Sequence, residues 1–89
     1  MEYTSTSPLS FLSLKLGSED LIHLDEPSAY GEFELALPVD ALLIVDAAFT
    51  DEGAQALKLE FFPDSRPTRT FSFWGNRRVR ENFQPTAND

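Results

Sequence analysis

Cysteine is absent from this 89-residue chain, so neither disulfides nor thiolate chemistry is available to it. That fits a reducing compartment. Histidine occurs once, at His23, and with no cysteine the usual zinc ligand sets cannot be assembled. The four glycines are scattered singly, which excludes a glycine-rich phosphate loop. Long apolar runs are missing too: the longest, Ala41 to Val45, is far below the ~20 residues that a membrane helix needs. The opening MEYTSTSP has neither the basic nor the apolar region of a signal peptide, and no Asn-x-Ser/Thr acceptor occurs. The expectation is a soluble, cytoplasmic protein.

Acidic side chains and phenylalanine are plentiful. Net charge is −8, unevenly spread: residues 1–65 hold 13 acidic and 2 basic side chains, net −11, whereas residues 66–89 hold 5 arginines and 2 acidic residues, net +3. An acidic body of this kind repels nucleic acid and anionic membrane. Eight phenylalanines and a hydrophobic fraction of 42% suffice for a packed core, and the length is that of one domain, 1–89, with loose ends over 1–7 and 84–89.

The hydrophobic pattern has the period of strands. In Gln55 to Phe62, Leu57, Leu59 and Phe61 alternate with Lys58 and Glu60; in Thr68 to Trp74, Phe71 and Phe73 alternate with Thr70 and Ser72. Pro63 and Pro67 end the pairing between them, because proline cannot donate to a ladder. With residues 63–67 as the loop, Leu59 faces Phe71, Leu57 faces Phe73, Glu60 faces Thr70 and Lys58 faces Ser72. The preceding run, Ala41 to Phe49, is apolar on both faces, which points to a central or doubly covered strand. A loop over Thr50 to Ala54 would pair Val45 with Leu59, Leu43 with Phe61 and Asp46 with Lys58. An opposite-charge cross-strand pair of that sort adds roughly 0.2–1 kcal/mol. The competing reading makes 50–61 a short helix capped by Thr50.

Leu9 to Leu16 ends in clean alternation and stops at Gly17-Ser18. Glu19 to Asp25 is ambiguous, either a strand with Ile22 and Leu24 inward or a helical turn capped by Ser18. Tyr30 to Leu37 alternates, with Phe33, Leu35 and Leu37 on one face and Glu32 and Glu34 on the other, and Pro38 ends it. After a turn at Gly75-Asn76, Arg77 to Phe83 makes a last strand with Val79 inward. The expected fold is all-β: a small antiparallel sandwich or partly open barrel of about six strands, with a C-terminal three-stranded meander over Ala41 to Trp74.

No constellation here matches known catalytic chemistry. His23 and Asp25 share a strand face, but no serine sits in an elbow motif. Asp51-Glu52-Gly53 lacks the spaced oxygens of a calcium loop. Glu32 and Glu34 are a strand-face carboxylate pair, able to do acid–base work only where the environment splits their titration. The expectation is a non-enzyme with no cofactor and no metal. Partner-binding candidates are Trp74, Phe62, Arg77, Arg78 and Arg80, a tryptophan–arginine corner of the residue types enriched at interface hot spots, together with Glu32 and Glu34. Together these features favour a small acidic protein-binding module, an inhibitor, immunity-type or adaptor protein acting on a basic partner. The alternatives are a self-associating subunit of a larger assembly, such as a viral one, or an acidic mimic of DNA that blocks a DNA-binding protein.

Overall fold

The structure, a computed structural model, describes residues 1–35, 41–62 and 67–85. Eight strands follow one another: β1 Glu2–Ser5, β2 Leu9–Leu16, β3 Glu19–Asp25, β4 Tyr30–Glu32, β5 Leu43–Phe49, β6 Ala54–Phe61, β7 Arg69–Asn76 and β8 Arg78–Phe83. They form two four-stranded antiparallel sheets packed as a sandwich, ordered β4-β1-β6-β7 (sheet I) and β3-β2-β5-β8 (sheet II). None of the described residues is helical, so 50–61 is not a helix, and no helix is long and apolar enough to cross a membrane.

The core lies between the sheets. Leu12 and Leu14 of β2, Leu43 and Val45 of β5, and Leu57 and Leu59 of β6 are fully buried. Phe61, Phe71, Phe73 and Phe83 close one end of it, with Phe83 5.1 Å from Phe71 and 5.3 Å from Phe73, centroid to centroid. Tilted and edge-on aromatic contacts at such separations add to what area burial alone supplies. Val79 faces inward, as its position in the sequence requires.

The β6–β7 hairpin has the register that the alternation dictates: Leu57 opposite Phe73, Leu59 opposite Phe71, Lys58 opposite Ser72 and Glu60 opposite Thr70. The expected meander does not continue back into β5. That strand lies in sheet II between β2 and β8, and Val45 is opposite Leu14 and Glu81 rather than Leu59. The end of β5 explains why. Phe49 donates its backbone N–H to the Arg77 carbonyl at 2.7 Å, and Thr50 donates both N–H and hydroxyl to the Pro8 carbonyl, at 3.0 and 2.8 Å. With these groups bound to two neighbouring corners, no hairpin toward β6 can start; the chain turns through Gly53, at φ 86°, and crosses to the other sheet. Leu43 and Phe61 still meet in one core, but across it. Asp46 is therefore not beside Lys58.

The N-terminal stretch is the second correction. Residues 2–5 are an inner strand, with β1 between β4 and β6, and Tyr3 is 2% exposed. Its ring stacks on Phe33 at 5.8 Å and its hydroxyl donates to the Ser28 carbonyl at 3.0 Å. A backbone wedged between two strands has its ladder bonds satisfied on both sides, so a polar sequence stays ordered. Glu19 to Asp25 is a strand, joined to β2 through a two-residue turn in which Gly17 takes the positive φ of 63°. The strand expected over Tyr30 to Leu37 is only three residues long, although Phe33 and Leu35 do pack on the core and Glu32 and Glu34 are exposed. Its end at Leu37-Pro38, the loop residues 63–66, and 86–89 of the loose C-terminal end lie outside the described residues; Pro85, within that end, is fully buried.

Deleting residues 1–5 should abolish the cooperative unfolding transition followed by circular dichroism. Trimming a frayed end would leave it unchanged.

Candidate functional site

Alternation and register together determine what the outer face of sheet I displays. Glu2 lies opposite Glu32 on one side and Glu60 on the other, so three carboxylates run in a row across β4, β1 and β6, ending at Thr70 on β7. The next row is Tyr30, Thr4, Lys58 and Ser72. Like charges directly opposite one another on a sheet are destabilising. Three local contacts relieve the repulsion. Lys58 Nζ is 3.0 Å from Glu60 Oε1, the Tyr30 hydroxyl donates to Glu32, and the Met1 ammonium lies close enough to act on both Glu2 and Glu32.

The row titrates unequally. Partial desolvation, a hydrogen bond to Glu32 and the charges of Glu32 and Glu60 push the Glu2 carboxyl up. Hydrogen bonds from Tyr30 and Glu2 hold the Glu32 carboxyl down. The Tyr30 phenol, bonded to Glu32, is pushed up to about 12. Two carboxyls at one spot thus share a proton as pH falls, the behaviour of a like-charged pair.

Beside the row, Met1, Glu2, Glu32, Phe33, Glu34 and Phe62 line a shallow depression of about 340 Å³. Phe62 is 50% exposed, Tyr30 52% and Trp74 71%. The structure therefore brings together Glu32, Glu34 and Phe62, and places Trp74 farther along the same face. Glu2 and Glu60 were not legible as site residues, because the neighbours of Glu2 in the row, Glu32 and Glu60, lie 30 and 58 positions away along the chain. The signal that could have found them is the pairing of β1, which a short polar sequence does not announce.

The arginines are elsewhere. Arg77 sits at the corner between β7 and β8, at φ 72°, and pairs with Glu52 at 2.6 Å. Because Val79 and Phe83 point into the core, Arg78 and Arg80 point out of sheet II, on the opposite side of the sandwich from Trp74. The expected tryptophan–arginine corner is split by the one-residue change of sheet at Arg77. Both arginines are held by Asp46, which is 4% exposed: Arg78 donates Nε and Nη2 to its two oxygens at 3.0 and 2.8 Å, and Arg80 donates Nη1 at 3.3 Å. The Arg78 guanidinium also lies over the Phe11 ring at 5.5 Å.

On that second face Ser13 Oγ is 2.6 Å from His23 Nδ1, and His23 Nε2 is 3.2 Å from Asp25 Oδ1. The three residue types are those of a hydrolase triad, but Ser13 is 2% exposed and the Asp25 side chain is 87% exposed. A working triad needs the reverse, an accessible serine and a sheltered, orienting aspartate. Among the described residues no group of His, Cys, Asp and Glu side chains has the geometry to hold a metal ion.

Two outcomes check this geometry. Removing both arginines, Arg78→Ala with Arg80→Ala, leaves a buried carboxylate unpaired and should cost about 3–5 kcal/mol in urea unfolding. Asp46→Ala, which frees two arginines already in reach of water, should cost less. The pH dependence has a definite sign. The folded chain holds the Glu2 proton longer than the unfolded chain does, so this group's contribution to stability falls as pH rises through its folded titration. Glu32 acts in the opposite sense, stabilising above its unfolded value and losing that as pH falls. Glu2→Gln should therefore raise the melting temperature at neutral pH, and the gain should shrink in acid. No family model matches the chain, and no curated protein or solved structure matches it either.

Proposed function

We propose that this chain is a non-catalytic protein-binding module that meets a basic partner through the outer face of sheet I. The observation that carries this reading is the row Glu32, Glu2, Glu60, three carboxylates set side by side on neighbouring strands at a cost to folding. Like charges set opposite one another repel, whereas a lysine- or arginine-bearing surface gains complementary charge and faster encounter from them. The aromatic rings flanking the row supply the other half of an interface. Phe62, Tyr30 and Trp74 offer large apolar contact area, and their faces also attract cations.

The geometry favours a protein partner over the DNA-mimic reading. Glu34 does not extend the row along a strand, Lys58 interrupts the acidic face beside Glu60, and the row is three residues long. Duplex DNA displays a continuous, evenly spaced line of charge. The inhibitor, immunity-type and adaptor variants of the proposal share this face and differ only in what the partner does.

A lysine- and arginine-rich peptide is a direct probe, with the single tryptophan as reporter. Titration should change Trp74 fluorescence and weaken with salt. Neutralising the row with Glu2→Gln, Glu32→Gln and Glu60→Gln should lower affinity at least tenfold. Neutralising three acidic residues off this face, Glu19, Asp51 and Glu52, should lower it much less. Equal losses in the two triple variants would mean that only net charge matters, and the proposal would fail.

A further inference from the structure

A two-sheet sandwich has four open edges, and three of them here are blunted. Strand β4 is three residues long. Strand β3 carries Glu19, Asp20 and Asp25, and its pairing with β2 is broken by a register shift at Leu14/Lys15. Strand β8 carries Arg78, Arg80 and Glu81. Short strands, bulges and charges are the devices by which sheets keep other strands from adding on.

The fourth edge is neither short nor bulged, and its one charge, Arg69, stands at its first position. Strand β7 is eight residues long and pairs with β6 without a register shift from Arg69 to Asn76. Between Arg69 and Asn76 it reads Thr-Phe-Ser-Phe-Trp-Gly, with no charge and no proline. Among the described residues no strand pairs with its outer edge. Alternate N–H and C=O groups there point away from β6, and a row of such groups is complementary to one thing, another extended strand.

We infer that β7 is a dimerisation edge, pairing antiparallel with β7 of a second copy about a two-fold axis at Ser72. Three observations select a second copy. The sequence is self-complementary in that register: Phe71 falls opposite Phe73, Thr70 opposite Trp74 and Arg69 opposite Gly75, so no like charges meet. The acidic row stands on β4, β1 and β6, and β7 bears no carboxylate, so two chains of net charge −8 approach along the side of sheet I that repels least. Phe71 is only half-buried and Trp74 is 71% exposed, and a strand laid along this edge covers apolar surface on both faces of the sheet. The product is one continuous eight-stranded sheet with an isologous interface, in which each copy contributes the same residues.

Sedimentation equilibrium of the full chain tests this. The mass should rise from one chain to two with concentration and persist at high salt, with acrylamide quenching of Trp74 reduced in the dimer. Ser72→Lys, an exposed position, sets like charges opposite each other at the axis and should weaken self-association at least tenfold, with the circular dichroism spectrum retained. Ser72→Glu should do the same. A mixture of the two variants should recover the dimer, which a contact anywhere else on the surface would not produce. Three results overturn the inference: a monomer at every concentration, a dimer indifferent to Ser72→Lys, or no recovery on mixing. Thr70→Lys, which meets Trp74 of the second copy, should weaken the dimer independently, and its failure to do so would also count against the Ser72 axis.

Discussion

Everything in this molecule depends on β5 and β6 facing each other instead of lying side by side. Leu43 and Val45 project from one, Leu57, Leu59 and Phe61 from the other, and their burial between two sheets is the main source of stability for so short a chain. Side by side, as a hairpin, these strands would put their apolar residues on one face of one sheet, with nothing to cover it. Crossing the sandwich through Gly53 gives each sheet an apolar inner face and makes β5 an inner strand of sheet II. The doubly apolar character of Ala41 to Phe49 suits that place, since Ile44 and Ala48 on its outer side are themselves half covered.

The same crossing sets the problem that Asp46 solves. A carboxylate in the middle of an inner strand is costly to bury unless it is fully bonded. At this position Ser13 and Arg80 are its neighbours in register, and Arg78 reaches it from one step away. Three charge-assisted hydrogen bonds compensate the desolvation. They also fix two of the arginines to the outer side of sheet II. The charge asymmetry of the sequence thus becomes a difference between the two faces of the sandwich: carboxylates and exposed aromatic rings on one, an arginine pair half neutralised by Asp46 on the other.

What was legible in the sequence follows from the range of the interactions. The β6–β7 register could be read because two alternating runs are bounded by prolines, and a hairpin is local. Val79 inward, the strand at Leu9 to Leu16 and the all-β sandwich were legible for the same reason: period and turn residues act over a few positions. Sheet membership is not local. Nothing in Thr50 to Ala54 distinguishes a hairpin loop from a crossing, because the deciding bonds come from Pro8 and Arg77. The ordering of Glu2 to Ser5 was hidden as well, since its one large apolar side chain, Tyr3, is buried by Phe33 and Ser28. Trp74, Phe62, Glu32 and Glu34 were chosen by residue type alone, and the arginines were grouped with Trp74 although adjacency in sequence does not survive the change of sheet at Arg77.

The distribution of charge within sheet I connects the candidate site to the edge. Going from β4 to β7, the row begins with three carboxylates and ends on a hydroxyl, Thr70. A surface selected only for solubility would place charge at the exposed edges, where it blocks unwanted pairing. Here the inner strands β1 and β6 carry charge, and the edge strand β7 carries none between Arg69 and Asn76. Repulsion is thereby concentrated where the sheet's own hydrogen bonds hold the strands together, and withheld where no such bonds oppose it. Of the four edges, β7 is the one whose only charge, Arg69, stands at its first residue. The proposed cation-receiving face and the proposed strand-receiving edge both rest on this distribution of charge.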